Sequence, residues 1–163
     1  VELEIRGMRC KDKIEYLINQ KYVSIIFPAV LNSCEKEEGF EDFIVKLYNS
    51  LDEDRKLTLI RELSKGKTRI GKKFVDEILA NTEKYNNDFL LEEISNCVVY
   101  YERGYCIDVI EMLRMKFIDD KSSIKYLNDL LKALMNTKYP LDTQYPTNII
   151  LNWVEEEPID FGE

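Results

Sequence analysis

The chain has 163 residues, of which 45% are apolar and 33% are charged, and its formal net charge is −8. This size and balance fit one globular domain that buries its own core without disulfides or metals, and they exclude a disordered chain. A negative field repels phosphate backbones and anionic lipid, so nucleic-acid and membrane partners are disfavoured. It attracts basic proteins, although a charge of this size equally serves solubility.

The four cysteines include no CxxC pair, and the chain has no histidine, so a zinc site is not expected. Cys97 and Cys106 fall at apolar helix positions, which favours buried, reduced thiols over a disulfide between them. No signal-peptide pattern and no run of about 20 apolar residues is present. We therefore expect a cytoplasmic protein.

In chain order, residues 1–9 come first. We expect them to lie outside the fold, disordered or not native to the protein, because the chain starts at Val1 rather than Met. Apolar residues 14, 17 and 18 then form a short helical stripe. Pro28 interrupts the next apolar run, and it predicts a kink or a break there.

The clearest helix covers residues 40–51, where apolar side chains fall at i, i+3, i+4, i+7, i+8 and i+11. Ser50 and Glu53 have the spacing of a capping box, which predicts that the next helix begins between them. That helix should end near Gly66 with a left-handed C-cap. Apolar positions from residue 70 to residue 79 predict the helix that follows.

The second half continues with the turn and cap formers Asn86, Asn87 and Asp88. They precede an apolar stripe over residues 90–101, which we expect to be one helix ended by Gly104. A further stripe covers residues 106–117.

The last predicted helices follow two different start signals. Asp119 and Asp120 can cap a helix whose apolar positions run from residue 124 to residue 134. Tyr145 and Pro146 then predict the start of a final helix, which holds Ile149, Ile150, Trp153 and Val154.

These segments together define the predicted fold class. Helix starts near residues 53, 87 and 121 recur about every 34 residues, which is the spacing of helix-pair solenoids. No segment shows the sustained alternation of a strand. We therefore predict an all-α protein with a single domain of about seven to nine helices over residues 10–157, followed by an acidic C-terminal tail at 158–163. The helices form either stacked antiparallel helical hairpins, α-solenoid-like, or an irregular helical bundle.

Motifs that carry chemistry are missing from the sequence. General acid-base catalysis at neutral pH uses histidine most often, and the chain has none. Glycine-rich phosphate loops and EF-hand spacing are also absent. The acidic pairs at residues 92–93 and 119–120 are typical of a solvated face and an N-cap. We expect no enzyme activity, no catalytic residues, no metal and no cofactor.

The charges are unevenly distributed. Residues 65–73 are basic without an acidic residue, and their lack of interleaved aromatics favours a solvated helix start over a nucleic-acid site. Residues 142–163 contain no Lys or Arg, and residues 35–42 contain five acidic residues offset only by Lys36. If the fold brings the two acidic stretches together, they form a patch for a cationic partner. The candidate partner-binding carboxylates are Glu35, Glu37, Glu38, Glu41, Asp42, Glu155, Glu156, Glu157 and Asp160.

A second candidate contact is aromatic. Tyr100, Tyr101 and Tyr105 cluster with Arg103, and Tyr and Arg are enriched in binding hot spots. The ten tyrosines of the chain equally fit the composition of an AT-rich genome.

A small acidic helical chain with these features resembles the immunity proteins that bacteria make against their own nuclease toxins. The resemblance is to those of polymorphic-toxin and contact-dependent growth inhibition systems, and it is carried by the helix-pair layout over residues 40–135, the acidic stretches and Ile149-Ile150-Leu151-Asn152. It spans most of the chain without a diagnostic motif, so no functional residue is transferred. It implies that an acidic surface covers the active site of a basic nuclease toxin. The alternative is a helical adaptor or virulence-type protein-interaction module, and a helical enzyme that uses carboxylates, Lys or Tyr is a third hypothesis.

Overall fold

The computed structural model describes residues 2–135. Within these residues the chain is all-α, with nine α-helices and no strand, which confirms the predicted fold class. The chain divides into two compact units, of which the first ends at Asp76 and the second begins at Glu77. The final helix predicted around residues 147–154 and the acidic tail lie outside the described residues.

The first unit is built around its longest helix. Its elements are α1 (Glu2–Ile5), α2 (Cys10–Ile18), α3 (Phe27–Cys34), α4 (Phe40–Ser50), α5 (Glu53–Lys65) and the beginning of α6 (Arg69–Ala80). Helix α5 packs against α2, α3 and α4, so it lies at the centre of the unit. The fully buried side chains include Ile14, Leu17, Phe27, Leu31, Ile44, Leu59, Ile60 and Leu63. Within the segment 1–9, α1 packs on α2 and Ile5 is buried.

The helix starts of this unit confirm one prediction and correct another. Pro28 is in the first turn of α3, so the chain breaks before the proline as expected. The N-cap of α5 is Asp52, whose Oδ1 accepts a hydrogen bond from the backbone N–H of Arg55 at 2.9 Å. The predicted capping box was wrong because Ser50 still belongs to α4, where its hydroxyl donates to the Leu47 carbonyl at 2.7 Å.

Gly66 ends α5 for a different reason from the predicted one. Its φ of −78° is right-handed, and the left-handed residue is Lys67, with a φ of 56°. The prediction of the helix end was correct, but the prediction of a left-handed glycine was wrong. A Cβ at residue 66 would lie 2.7 Å from the carbonyl oxygen of Pro28. Glycine is therefore needed here because α3 and α5 approach closely, and Asn32 Nδ2 donates to the Gly66 carbonyl at 2.7 Å.

The second unit consists of short helical segments followed by two longer helices. A 3₁₀ turn (Thr82–Lys84) and a π-helix (Phe89–Ile94) precede α7 (Ser95–Val98), α8 (Arg103–Lys116) and α9 (Lys121–Met135). The π-helix runs directly into α7, and the most extensive packing of this unit among the described residues is that of α7 on α8 and of α8 on α9. A hydrogen bond of 3.1 Å between the hydroxyls of Ser95 and Tyr126 also links α7 to α9.

In the second unit, the sequence predicted two helix caps correctly but placed the end of α7 too late. Asn86 Oδ1 accepts from the Phe89 N–H at 2.7 Å, and Asp120 Oδ1 accepts from the Ser123 N–H at 3.4 Å, so both predicted caps are confirmed. The helix expected over residues 90–101 ends at Val98 instead, and Gly104 lies inside α8. The Val98 carbonyl accepts hydrogen bonds from the Tyr101 N–H and the Cys106 thiol, which terminates α7 earlier than the apolar spacing indicated.

The cysteines divide between the two units. Cys97 and Cys106 are buried and form no disulfide, which confirms the prediction for them. Cys10 and Cys34 form a disulfide that joins the start of α2 to the end of α3. The sequence did not predict this bond, because four cysteines allow three pairings and spacing alone does not choose among them. Disulfides are rare in reducing compartments, so this bond is an argument against the predicted cytoplasmic location.

Candidate protein-interaction surface

The acidic segment, residues 35–42, connects α3 to α4. Glu35 is the C-cap residue of α3, whereas Glu41 and Asp42 lie in the first turn of α4. Carboxylates in a first helical turn face the positive end of the helix dipole, so the fold itself favours acidic residues at that position. Local structure therefore explains part of the acidic composition of this segment without a partner.

Two carboxylates of the segment contact α6. The Glu35 carboxylate accepts a hydrogen bond from the backbone N–H of Arg69, the first residue of α6. Lys73 Nζ lies 2.7 Å from Glu41 Oε2, and both side chains are well exposed, so this ion pair contributes at most about 1 kcal/mol. The fold thus places two residues of the acidic segment against the start of α6, within the basic residues 65–73.

The three remaining carboxylates of the segment are exposed to solvent. Glu37 and Glu38 lie between α3 and α4, and Asp42 lies in the first turn of α4. We refer to Glu37, Glu38 and Asp42 as the acidic surface. Because they fall within six residues of the chain, they concentrate negative charge in one small region.

The basic segment also has a structural role. Lys65 Nζ lies 3.2 Å from Oε2 of Glu62, whose side chain is only 3% exposed. Burial raises the pKa of Glu62 above its ordinary value, although Lys65 and Arg61 act in the opposite direction. Lys65 therefore partly neutralises a buried carboxylate, which gives this residue of the basic segment a structural role.

The predicted aromatic cluster is largely inside the second unit. Tyr101 is 3% exposed, and its ring meets Tyr105 edge to face with 5.4 Å between the centroids. Tyr100, Arg103 and Tyr105 are half-buried. Tyr101 is consequently a core residue, and a partner could contact only parts of the other three side chains. The remaining candidates, Glu155, Glu156, Glu157 and Asp160, lie outside the described residues.

The structure also shows an apolar surface that the sequence interpretation missed. Met112, Met115 and Ile118 are 51%, 78% and 68% exposed. We refer to these three residues, two on α8 and Ile118 just after its end, as the apolar face of α8. Their regular spacing could have revealed this surface. From the sequence we used only the apolar stripe through residues 106–117, which forms the buried side of the helix. Exposed apolar patches commonly mark interaction sites, and Met adapts to partners of varied shape.

Residues 2–135 lack two kinds of feature. Within them, no group of three or more His, Cys, Asp or Glu residues is arranged to hold a metal ion. None of the helices described is long and apolar enough to cross a membrane. Comparisons with protein-family models, with curated proteins and with solved structures find no match to this chain. The features that bear on function are therefore the acidic surface and the apolar face of α8.

Proposed function

We propose that this chain is a non-catalytic binding protein that captures a basic protein through the acidic surface. The observation that supports the proposal is the exposure of Glu37, Glu38 and Asp42 in one short segment of a chain with a net charge of −8. Clustered charge accelerates the encounter with an oppositely charged protein and selects against acidic partners. The contacts of Glu35 and Glu41 with α6 hold residues 35–42 in place, while the three carboxylates of the acidic surface stay accessible.

In its most specific form, the proposal describes an immunity protein that neutralises a cognate basic nuclease toxin. A nuclease binds the phosphates of its substrate with Lys and Arg, and carboxylates form charge-assisted hydrogen bonds with the same groups. An acidic surface over the active site would therefore exclude the nucleic acid. The resemblance to immunity proteins and the acidic surface both support this form.

The experiment compares capture by the wild type with capture by the triple variant E37K/E38K/D42K. Each protein is immobilised and exposed to host lysate at physiological salt, and bound proteins are identified by mass spectrometry. We expect the wild type to retain a basic protein that the variant loses. With that protein purified, added salt should slow its association with the wild type, and the variant should associate at least about tenfold more slowly.

The matched control is E83K/E92K/D108K, which reverses three exposed carboxylates of the second unit and changes the net charge equally. It should retain the partner with an association rate close to that of the wild type. Equal loss of partner binding in both triple variants would show that only the overall charge matters, which would contradict a specific acidic surface. Unchanged binding in both variants would also contradict the proposal.

A second candidate function, a helical adaptor that binds through an apolar contact, is favoured by the apolar face of α8. The variant M112K/M115K tests it, because both side chains are exposed and their replacement should not disturb the core. If this variant loses the captured protein while E37K/E38K/D42K keeps it, the adaptor hypothesis is correct and the acidic surface is not the binding site.

A further inference from the structure

A cleft of about 410 Å³ opens in the first unit beside the Cys10–Cys34 disulfide. This volume lies in the range of small-molecule sites, about 300–1,000 Å³. The cleft is formed by the end of α1, the first turn of α2 and one side of α3. None of its lining residues belongs to the acidic surface or to the apolar face of α8.

One wall of the cleft is an apolar face of α3 that the core does not use. Ile26, Ala29, Val30 and Ser33 line it with the spacing i, i+3, i+4 and i+7, which places them on one side of the helix. The neighbouring side of the helix carries Phe27, Leu31 and Cys34, which are buried, and Cys34 also meets the cleft at the disulfide. The wall extends over two helical turns, about 10 Å, so it suits a small molecule better than a partner helix.

The other wall is cationic. Arg6 is exposed and Lys13 is half-buried, and both line the cleft, whereas none of the lining residues in the described part of the chain is a carboxylate. In a chain of net charge −8, two cations at an apolar cleft without a lining acid form a local reversal of charge. Ser33 adds a hydroxyl group that can donate to an anion.

We propose that this cleft binds a small amphipathic carboxylate. The hydrocarbon part of the ligand lies along Ile26, Ala29 and Val30, and its carboxylate lies between Arg6 and Lys13. Hydrogen bonds from charged donors to a carboxylate are stronger than those between neutral groups, which makes the anion preferred over a neutral molecule of the same length. This proposal does not depend on the capture of a basic protein, so either one can fail alone.

The test measures binding of decanoate, below its micelle concentration, to the oxidised full chain by titration calorimetry. Decanol is the neutral comparison because it keeps the chain length and removes the charge. We expect saturable binding of decanoate that is at least about tenfold tighter than binding of decanol. The variant R6Q/K13Q should lose this preference while its weak affinity for decanol is unchanged.

The matched control K36Q/K46Q removes two exposed lysines of the same unit that do not line the cleft, and it should bind decanoate like the wild type. The variant Ala29→Glu places a carboxylate at an exposed position of the apolar wall and should abolish decanoate binding with an unchanged circular dichroism spectrum. No saturable binding to the wild type, equal affinity for decanol, or equal losses in R6Q/K13Q and K36Q/K46Q would overturn the proposal.

Discussion

The two units of this protein are held together in different ways. In the first, a disulfide links residues 24 positions apart, and Asn32 bonds to the carbonyl of Gly66 across 34 positions. In the second, the most extensive helix packing among the described residues joins neighbours along the chain, one hydroxyl pair, Ser95 and Tyr126, spans 31 positions, and Cys97 and Cys106 form no disulfide. The first unit therefore depends on links that the apolar pattern does not specify, whereas packing between successive apolar stripes accounts for much of the second.

The exposed surfaces differ in the same way. The first unit presents charge at Glu37, Glu38 and Asp42, and its neighbouring carboxylates bind α6. The second unit presents the apolar face of α8. Breaking the long-range links should thus affect the first unit selectively, and the experiments below are ordered by the size of the expected effect.

The largest effect is expected from the disulfide. The variant C10S/C34S, or the wild type with reductant, should lose about 3 kcal/mol of unfolding free energy, because the closed loop restricts the unfolded chain. Urea denaturation followed by circular dichroism measures this loss. Reductant should have no further effect on C10S/C34S, since Cys97 and Cys106 are already reduced. Equal stability of the oxidised and reduced wild type would contradict the assigned role of the bond.

The next effect concerns the close approach of α3 and α5. Gly66→Ala places a Cβ 2.7 Å from the Pro28 carbonyl oxygen, so one of the helices must shift, which should cost about 2 kcal/mol. Gly104→Ala is the control, because a Cβ there meets nothing within 4 Å and the residue lies inside α8. That control should be neutral or slightly stabilising, since Ala favours helix over Gly. Equal stability of both variants would show that the approach is looser than the structure indicates.

These glycines illustrate how far the sequence could be interpreted. Apolar spacing predicted α4 to within one residue, and Asn86 and Asp120 were correctly identified as caps, because these signals are local. The reason for Gly66 depends on Pro28, which lies 38 positions away. No local pattern contains that information.

The candidate site shows the same limit. Exposure of Glu37, Glu38 and Asp42 followed from their charge, but the contacts of Glu35 and Glu41 with α6 required the fold. Tyr101 is of a residue type that is common in binding sites, and it is nevertheless buried. From the sequence we overlooked the apolar face of α8, because the other apolar stripe of that helix was sufficient to explain how the helix packs into the core.

The smallest effect is expected from Glu62, the buried carboxyl of α5. Since burial raises its pKa in the folded state, the folded state binds a proton more tightly than the unfolded chain. The contribution of Glu62 to stability is therefore fully present below its ordinary pKa and declines as the pH rises through the raised value. Gln does not titrate, so the unfolding free energy of Glu62→Gln relative to the wild type should increase between about pH 4 and about pH 7.

Lys65→Met supplies the second arm of this experiment. Lys65 lowers the pKa of Glu62, so its removal should raise that pKa further and steepen the loss of stability toward neutral pH. Urea titrations at the two pH values measure both variants. A wild type and a Glu62→Gln variant with parallel pH profiles would show that this carboxyl is not desolvated.

The central claim is that the partner binds the acidic surface of the first unit rather than the apolar face of the second. The most direct test is hydrogen–deuterium exchange of the protein, alone and saturated with the captured basic protein. The account predicts that backbone amides of residues 35–42 become protected in the complex, whereas those of residues 112–118 exchange as they do in the free protein. Protection confined to residues 112–118, with residues 35–42 unchanged, would contradict it.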